Sequence, residues 1–376
     1  MHLTLHLTTA CNMRCSYCYA PPHAGPCMSE ETAWQALEFG ARSSSRSCGV
    51  VFFGGEPLLC ADLVRSTVQR ARVLSARGTV PFHFKLTTNG WLLDDAIIDF
   101  AVRNDIMIAV SIDGTEAMHD RHRRLADGSG THRRVKANLQ QLLLCKPYSN
   151  VIMVVNPDTV GGMRESVVEL VEMGCRYVIV SLNYAAEWAA YHMLELENQL
   201  RSLAEDYLAW TRGGRKFYLS PFEGKLASHI DGPAFRRDRC ELAQRQISVD
   251  PDGNLFPCVQ FTRAGPCSDW CIGHVATGID PCALASVRRA SARDKEPCAR
   301  CAIRHRCNHT CGCLNWQATG SVHQVSPVLC RYERMLLEVL DQVGATLFRE
   351  RNPYFLHKHY NAAYPVLSLL EDQGTG

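Results

Sequence analysis

Between residues 1 and 190, six short apolar runs rich in Val, Ile, Phe and Thr alternate with longer amphipathic stretches: HLTLHLT, GVVFFGG, FHFKLTTNG, IMIAVSIDG, NVIMVVN and YVIVSLN. Runs of this length and composition read as strands. SEETAWQALEFGARS, between the first two, reads as a helix, with Ser29 ahead of acidic residues as its start signal. Strands separated by helices are connected by crossovers, which return the chain in the same direction and make the sheet parallel. The expected class is therefore α/β, a partial (β/α)6 TIM-like barrel spanning 1–190, with its site on the loops at the C-terminal ends of the strands.

The rest of the chain divides by composition. Residues 191–235 carry YHMLELENQLRSLAEDYLAW, whose helical spacing predicts a helical bridge. Residues 236–335 are short Gly, Pro and Cys-rich segments that would not build a core unaided, so bound metal is expected to stabilise them. Residues 336–376 predict a C-terminal helix and an aromatic tail, ERNPYFLHKHYNAAYPVLSLL, expected to pack on the barrel. Forty basic and 38 acidic residues give a net charge of +2, which offers no reason to expect a nucleic-acid or membrane partner. Without a basic, apolar N-terminal signal or an apolar run long enough to span a bilayer, a soluble cytoplasmic protein is expected.

The 19 cysteines favour metal ligation over disulfides in a reducing compartment. Three, Cys11, Cys15 and Cys18, lie in TTACNMRCSYCYA, and eleven lie between Cys240 and Cys330. The other five, Cys27, Cys48, Cys60, Cys145 and Cys175, read as small buried hydrophobes. A structural zinc site wants four ligands, usually in C-x2-C pairs, and C-x3-C-x2-C fits that poorly. A cubic iron–sulfur cluster has four iron corners, so three thiolates leave one iron open to a substrate or cofactor.

CNMRCSYC, with Tyr17 before the last cysteine and its place after the first strand, resembles the radical SAM signature. The resemblance implies that Cys11, Cys15 and Cys18 hold a 4Fe–4S cluster whose fourth iron binds S-adenosylmethionine. FFGGEP (Gly54, Gly55, Glu56, Pro57) resembles the motif that contacts the methionine amine in this superfamily. Glycines admit close backbone approach, and a carboxylate suits an ammonium. LTTNG supplies Thr88 and Asn89 at a position expected for ribose contacts, and VSIDG supplies Ser111 and Asp113, similar to the family's serine contact. Arg124 in HDRHRRL is the candidate partner of the methionine carboxylate, with a solvated basic loop as the alternative. Asn183 is expected near the adenine.

Cys240, twelve residues, Gly253, four residues and Cys258 are followed by Cys298, Cys301, Cys307, Cys311 and Cys330. The series is similar to the seven-cysteine SPASM pattern at every interval. That resemblance implies two auxiliary 4Fe–4S clusters, for three clusters in all. Cys240, Cys258 and Cys311 go to the first auxiliary cluster, and Cys298, Cys301, Cys307 and Cys330 to the second. An eighth cysteine found upstream in some relatives is missing from 228–239. The fourth corner of the first auxiliary cluster is either open or filled by Cys267, Cys271, Cys282 or Cys313.

Together these resemblances imply reductive cleavage of S-adenosylmethionine and hydrogen abstraction from a peptide or protein substrate. Electrons would come from an external donor of flavodoxin or ferredoxin type. The leading expectation is a maturase that installs a thioether or carbon–carbon cross-link, or another oxidation, in a ribosomally made peptide. With the first strand at the N-terminus, leader recognition is expected to fall to the barrel, the SPASM region, the tail or a separate protein. Sulfatase-maturing enzymes resemble this chain in architecture but typically place an aspartate after the second SPASM cysteine, where this chain has Val259 and Gln260. A non-catalytic iron–sulfur or zinc-binding protein is the remaining alternative, and it would not need the GGEP, TTNG and SIDG stretches.

Overall fold

In the computed structural model of the protein, the described residues are all but 21–22, 79, 233–234, 236–241, 245, 293–294 and 374–376. The six expected strands form as β1 (His2–His6), β2 (Cys48–Phe53), β3 (Phe82–Thr88), β4 (Ile106–Ser111), β5 (Asn150–Val155) and β6 (Tyr177–Leu182). They pair in chain order and in parallel, with Leu3 opposite Val50 and Val50 opposite Phe84. β1 is buried on both faces, through Leu3 and Leu5 on one and Thr4 and His6 on the other, as a central strand of a covered parallel sheet should be.

The crossovers are α1 (Glu30–Arg42), α2 (Ala61–Ala76), α3 (Asp95–Arg103), the pair α4 (Glu116–His122) and α5 (His132–Cys145), and α6 (Met163–Glu172). Ser29 caps α1 by accepting a hydrogen bond from the Thr32 amide at 3.0 Å, and Asp94 caps α3 through the Ile97 amide at 2.9 Å. The inward residues of these helices, among them Leu37, Val68, Ile98, Leu139 and Leu170, join the core.

The sheet extends beyond the six strands at both edges. Between α7 (Ala190–Arg212) and α8 (Phe222–Asp231), within the segment expected to be wholly helical, Tyr218–Ser220 forms a seventh parallel strand, β7, beside β6. The Tyr177 and Tyr218 rings stack across that pair with centroids 4.2 Å apart. At the other edge β8 (Gln246–Val249), from the cysteine-rich segment, runs parallel to β1. The short strands β9 (Asn254–Phe256), β10 (Gly273–His274) and β11 (Gly278–Ile279) continue outward in antiparallel fashion.

The helices α9 (Pro281–Ala292), α10 (Glu296–Ala299) and α11 (Gly312–Thr319) follow, with turns between α10 and α11. α12 (Pro327–Arg349) lays its apolar stripe, Leu336, Leu340, Val343 and Leu347, against α7 and α8. A buried ion pair, Lys225 to Glu333 at 2.6 Å, crosses that contact. The aromatic tail forms α13 (Pro353–Tyr360) and α14 (Tyr364–Gln373). It is docked by the fully buried Phe355 and by Lys358, which reaches the Phe217 carbonyl at 2.7 Å and the carboxylate of Glu223.

Among the scattered cysteines, Cys48 and Cys175 are buried as expected, but Cys145 is exposed. Cys27 and Cys60 form a disulfide, Cα to Cα 6.0 Å, joining the loop after β1 to the turn after β2. Their separation of 33 residues hides this pairing from sequence. No helix among the described residues is long and apolar enough to cross a membrane.

Candidate active site

The loop after β1 carries Cys11, Cys15 and Cys18 to the C-terminal end of the sheet. Long-range backbone bonds hold it there. The Gly55 amide donates to the Thr8 carbonyl (2.8 Å), the Glu56 amide to Ala10 (2.9 Å), the Arg14 amide to Arg124 (2.7 Å) and the Ser16 amide to His122 (3.1 Å). Gly54 has φ +130°, and a Cβ there would run into the Thr8 carbonyl, as one on Gly55 would run into that of Ala10. The glycine pair is thus demanded by close packing of the two loops.

Glu56 is fully buried and accepts three hydrogen bonds, from the Leu58 amide (3.0 Å), the Thr88 hydroxyl (2.7 Å) and the Asn89 amide (2.7 Å). Burial pushes its carboxyl up to about 7 despite these donors. Its work here is to tie the loop after β2 to the loop after β3. Asn89 in turn donates to the side-chain oxygen of Asn12 at 2.8 Å, inside the cysteine loop. Asp113, also buried, receives the Tyr17 hydroxyl at 2.5 Å, Arg123 Nε at 2.9 Å and the Val154 amide at 2.9 Å. One carboxylate therefore fixes β4, β5, the cysteine loop and the end of α4.

A cavity of about 290 Å³ opens between these loops, lined by Cys11, Cys15 and Cys18. Its wall includes Phe53 of β2, Thr87 and Thr88 of β3, Ser111 of β4, Ile152 and Val154 of β5, and Ser181 and Leu182 of β6. Five successive parallel strands can share one cavity only if the sheet curls into a barrel segment. Burial drives the Cys11 thiol up to about 11, and the neighbouring Glu56, Cys15 and Cys18 push it the same way. Burial raises the Cys15 thiol as well, and thiols set away from water need a cation to become thiolates. Buried polar atoms without a partner, Tyr19 Oη, His23 Nδ1 and Asn12 Nδ2, belong to the cysteine loop or the residues beside it.

Comparison with known proteins meets this geometry directly: residues 5–171 match the radical SAM superfamily. Residues 5–171 are a radical SAM domain. The chain is 26% identical over 271 residues to the serine-type anaerobic sulfatase-maturating enzyme of Klebsiella aerogenes, a match that covers 68% of this chain and 65% of that enzyme. Among solved structures, native anSMEcpe with bound AdoMet superposes with TM-score 0.79 at 18% identity, covering 92% of this chain and 99% of that one. Streptococcus suis SuiB bound to its precursor peptide SuiA superposes with TM-score 0.60 at 13% identity, covering 88% and 75%. The α/β fold, with its TIM-like parallel sheet and helical C-terminal region, is shared with these solved structures.

A radical SAM domain implies a 4Fe–4S cluster and S-adenosylmethionine, and the residues present fit both. Three thiols line a cavity whose wall also carries amide and hydroxyl groups. Among the described residues no three His, Cys, Asp or Glu side chains are spaced for a single metal ion.

Of the expected cofactor contacts, Gly54, Gly55, Thr88, Asn89, Ser111 and Asn183 line the cavity of the radical SAM domain. Glu56, Pro57 and Asp113 are buried behind it, and the carboxylates of Glu56 and Asp113 are already engaged by the partners above. Arg124 is corrected. Its guanidinium turns away to the Gly128 carbonyl at 3.0 Å, while Arg123, only 6% exposed, lines the cavity and lies over the Tyr17 ring at 5.3 Å. The extended backbone at Arg123, which ends α4, sends these adjacent side chains different ways. Sequence reasoning also missed Tyr19, His23, Gln260, Leu314 and Gln317, all of which line the cavity. The last three come from the cysteine-rich segment, so that segment borders the radical SAM site.

Within the cysteine-rich segment, Cys298 lies near Cys301 and Cys330, and Cys307 lies near Cys298. Arg334 of α12 reaches Cys301 Sγ at 3.6 Å and also hydrogen-bonds Cys330. Cys258 lies near Cys311. Cys240 lies outside the described residues.

Proposed function

We propose that this chain is a radical SAM maturase that oxidises a residue of a peptide or protein substrate, aided by two auxiliary 4Fe–4S clusters in its cysteine-rich segment. The observation that carries this reading is the shared cavity, in which Cys11, Cys15 and Cys18 face Gln260, Leu314 and Gln317. Cys11, Cys15 and Cys18 would hold the cluster, which together with S-adenosylmethionine would supply the chemistry for taking a hydrogen atom from an unactivated carbon. The chain's own residues hold that chemistry away from water between the strand ends and the cysteine-rich segment. Gly54, Gly55, Thr88, Asn89, Ser111, Arg123 and Asn183 would seat the cofactor. The substrate then gives up one electron to the cysteine-rich segment and one proton to a base or water. An external carrier of flavodoxin or ferredoxin type would supply the electron that starts the cycle. A separate leader-binding protein is compatible with this arrangement.

Two products fit this oxidation. The Klebsiella aerogenes relative favours formylglycine formation on a sulfatase. The cavity favours a cross-link in a ribosomally made peptide, because among the described residues no carboxylate lines it and Gln260 stands in the region where sulfatase-maturing enzymes typically carry an acid. The test is to incubate the anaerobically reconstituted enzyme, reductant and S-adenosylmethionine with a sulfatase-motif peptide and with peptides encoded beside the gene. Loss of two hydrogens without an aldehyde supports the cross-link. A hydrazide-reactive aldehyde on the sulfatase peptide supports the second reading, and no 5′-deoxyadenosine with any substrate overturns both.

A further inference from the structure

The first auxiliary cluster, as the SPASM resemblance implies it, has three cysteines and an undecided fourth corner. Of the four spare thiols, Cys267 and Cys282 are exposed, and Cys271 is turned to the Gly273 carbonyl at 3.5 Å. Cys313 differs from all three. It is 5% exposed, sits in the first turn of α11 two residues after Cys311, and its thiol is hydrogen-bonded to that of Cys258. Cys311 is the residue that starts this helix, and its extended backbone (φ −67°, ψ 100°) bends the chain just there. Cys258 has Cys311 near it as well. Tyr19 has Cys18 of the first cysteine loop near it, and also Cys258 and Cys313.

We propose that Cys313 is a ligand of the first auxiliary cluster, joining Cys258 and Cys311 and closing the corner that the seven-cysteine spacing leaves open. The assignment rests on the reading that this segment holds two auxiliary clusters. With Cys313 added to the three cysteines that the SPASM resemblance implies, this cluster would take up an electron without binding a substrate thiolate. The substrate is then held by the cavity wall alone, and any electron passes outward without a covalent tether.

The experiment uses anaerobically reconstituted full-length protein carrying Cys11→Ala, Cys15→Ala and Cys18→Ala, which removes the open first cluster. Cys313→Ala, Cys313→Ser and the control Cys267→Ala are added singly, and iron content and the EPR spectrum of the reduced protein are recorded with and without β-mercaptoethanol. The background protein is expected to hold about eight irons, four per cube, with a spectrum indifferent to the added thiol. Cys313→Ala is expected either to lose about four irons or to keep them with a spectrum that shifts on adding β-mercaptoethanol. Cys313→Ser, which preserves size, is expected to alter the spectrum while keeping the fold, and Cys267→Ala to change nothing. Full iron and an unaltered, thiol-indifferent spectrum in both Cys313 variants would overturn the assignment alone. Iron for a single cluster or less in the background protein would overturn the two-cluster reading and this assignment with it.

Discussion

The loop carrying Cys11, Cys15 and Cys18 is hydrogen-bonded to the loop after β2 and to the end of α4, whereas the backbone bonds around Cys298 to Cys311 close local turns. The Cys298 amide donates to the Lys295 carbonyl, Cys301 to Cys298, Arg304 to Cys301 and Cys311 to Asn308. The main long-range anchor of that second stretch is Arg306, whose carbonyl receives Lys225 Nζ at 2.8 Å and whose guanidinium pairs with Asp341. Local turns bring little cooperative stability of their own, and a segment built from them takes its order from what it binds. The radical SAM cluster would thus be set into a frame that stands without it, while the cysteine-rich segment, if it holds the proposed auxiliary clusters, would depend on its metal.

The largest effect expected from this contrast is on chemistry without a matching effect on fold. Cys15→Ala should reduce 5′-deoxyadenosine formation to background while shifting Tm by no more than about 2–4 °C, since the loop keeps its backbone partners. A collapse of the fold in this variant would break the comparison. Next in size is the response to iron removal. Anaerobic chelation should raise amide exchange across residues 295–311 by about a hundredfold or more, and across residues 11–18 by less than about tenfold. Equal loss of protection in both stretches would mean that metal orders them alike.

A third expectation concerns what fixes the first frame. Arg123→Met leaves Asp113 as a buried carboxylate without its cation, at a cost of about 3–5 kcal/mol in urea unfolding. Arg124→Met, one residue on, should stay within about 0.5 kcal/mol because that side chain lies on the surface. If the two variants behave alike, the partition of these arginines into inward and outward is wrong.

These adjacent arginines also mark where sequence stops being legible. The six strands could be read because β-branched runs such as VVFF and VIMVV admit few other conformations, and the cysteine spacing located the first site because its loop follows a strand end. β7 is three residues long, too short for any periodicity, and β8 pairs with a strand more than 240 residues away in sequence. The choice of Arg123 over Arg124 depends on the backbone at the end of one helix. A carboxylate suits an ammonium, so sequence points Glu56 at a ligand, but buried amides and a hydroxyl compete for the same oxygens. The Cys27–Cys60 disulfide and the Cys258–Cys313 contact are tertiary facts, invisible in spacing.

The smallest expected effect probes the second region without unfolding it. Arg334 is exposed, so removing it should cost little stability, yet its guanidinium donates toward the sulfurs of Cys301 and Cys330. Hydrogen bonds and positive charge at cluster sulfurs stabilise the reduced, more negative state, and so raise the potential. Arg334→Gln should therefore lower the midpoint of the second auxiliary cluster by on the order of tens of millivolts, where ~59 mV is tenfold for one electron. EPR-monitored redox titration would read this shift, while the first cluster, in its separate frame, should titrate as before. A shift at both clusters would mean that the two regions respond as one body, and no shift at either would mean that solvent already screens this guanidinium from the sulfurs.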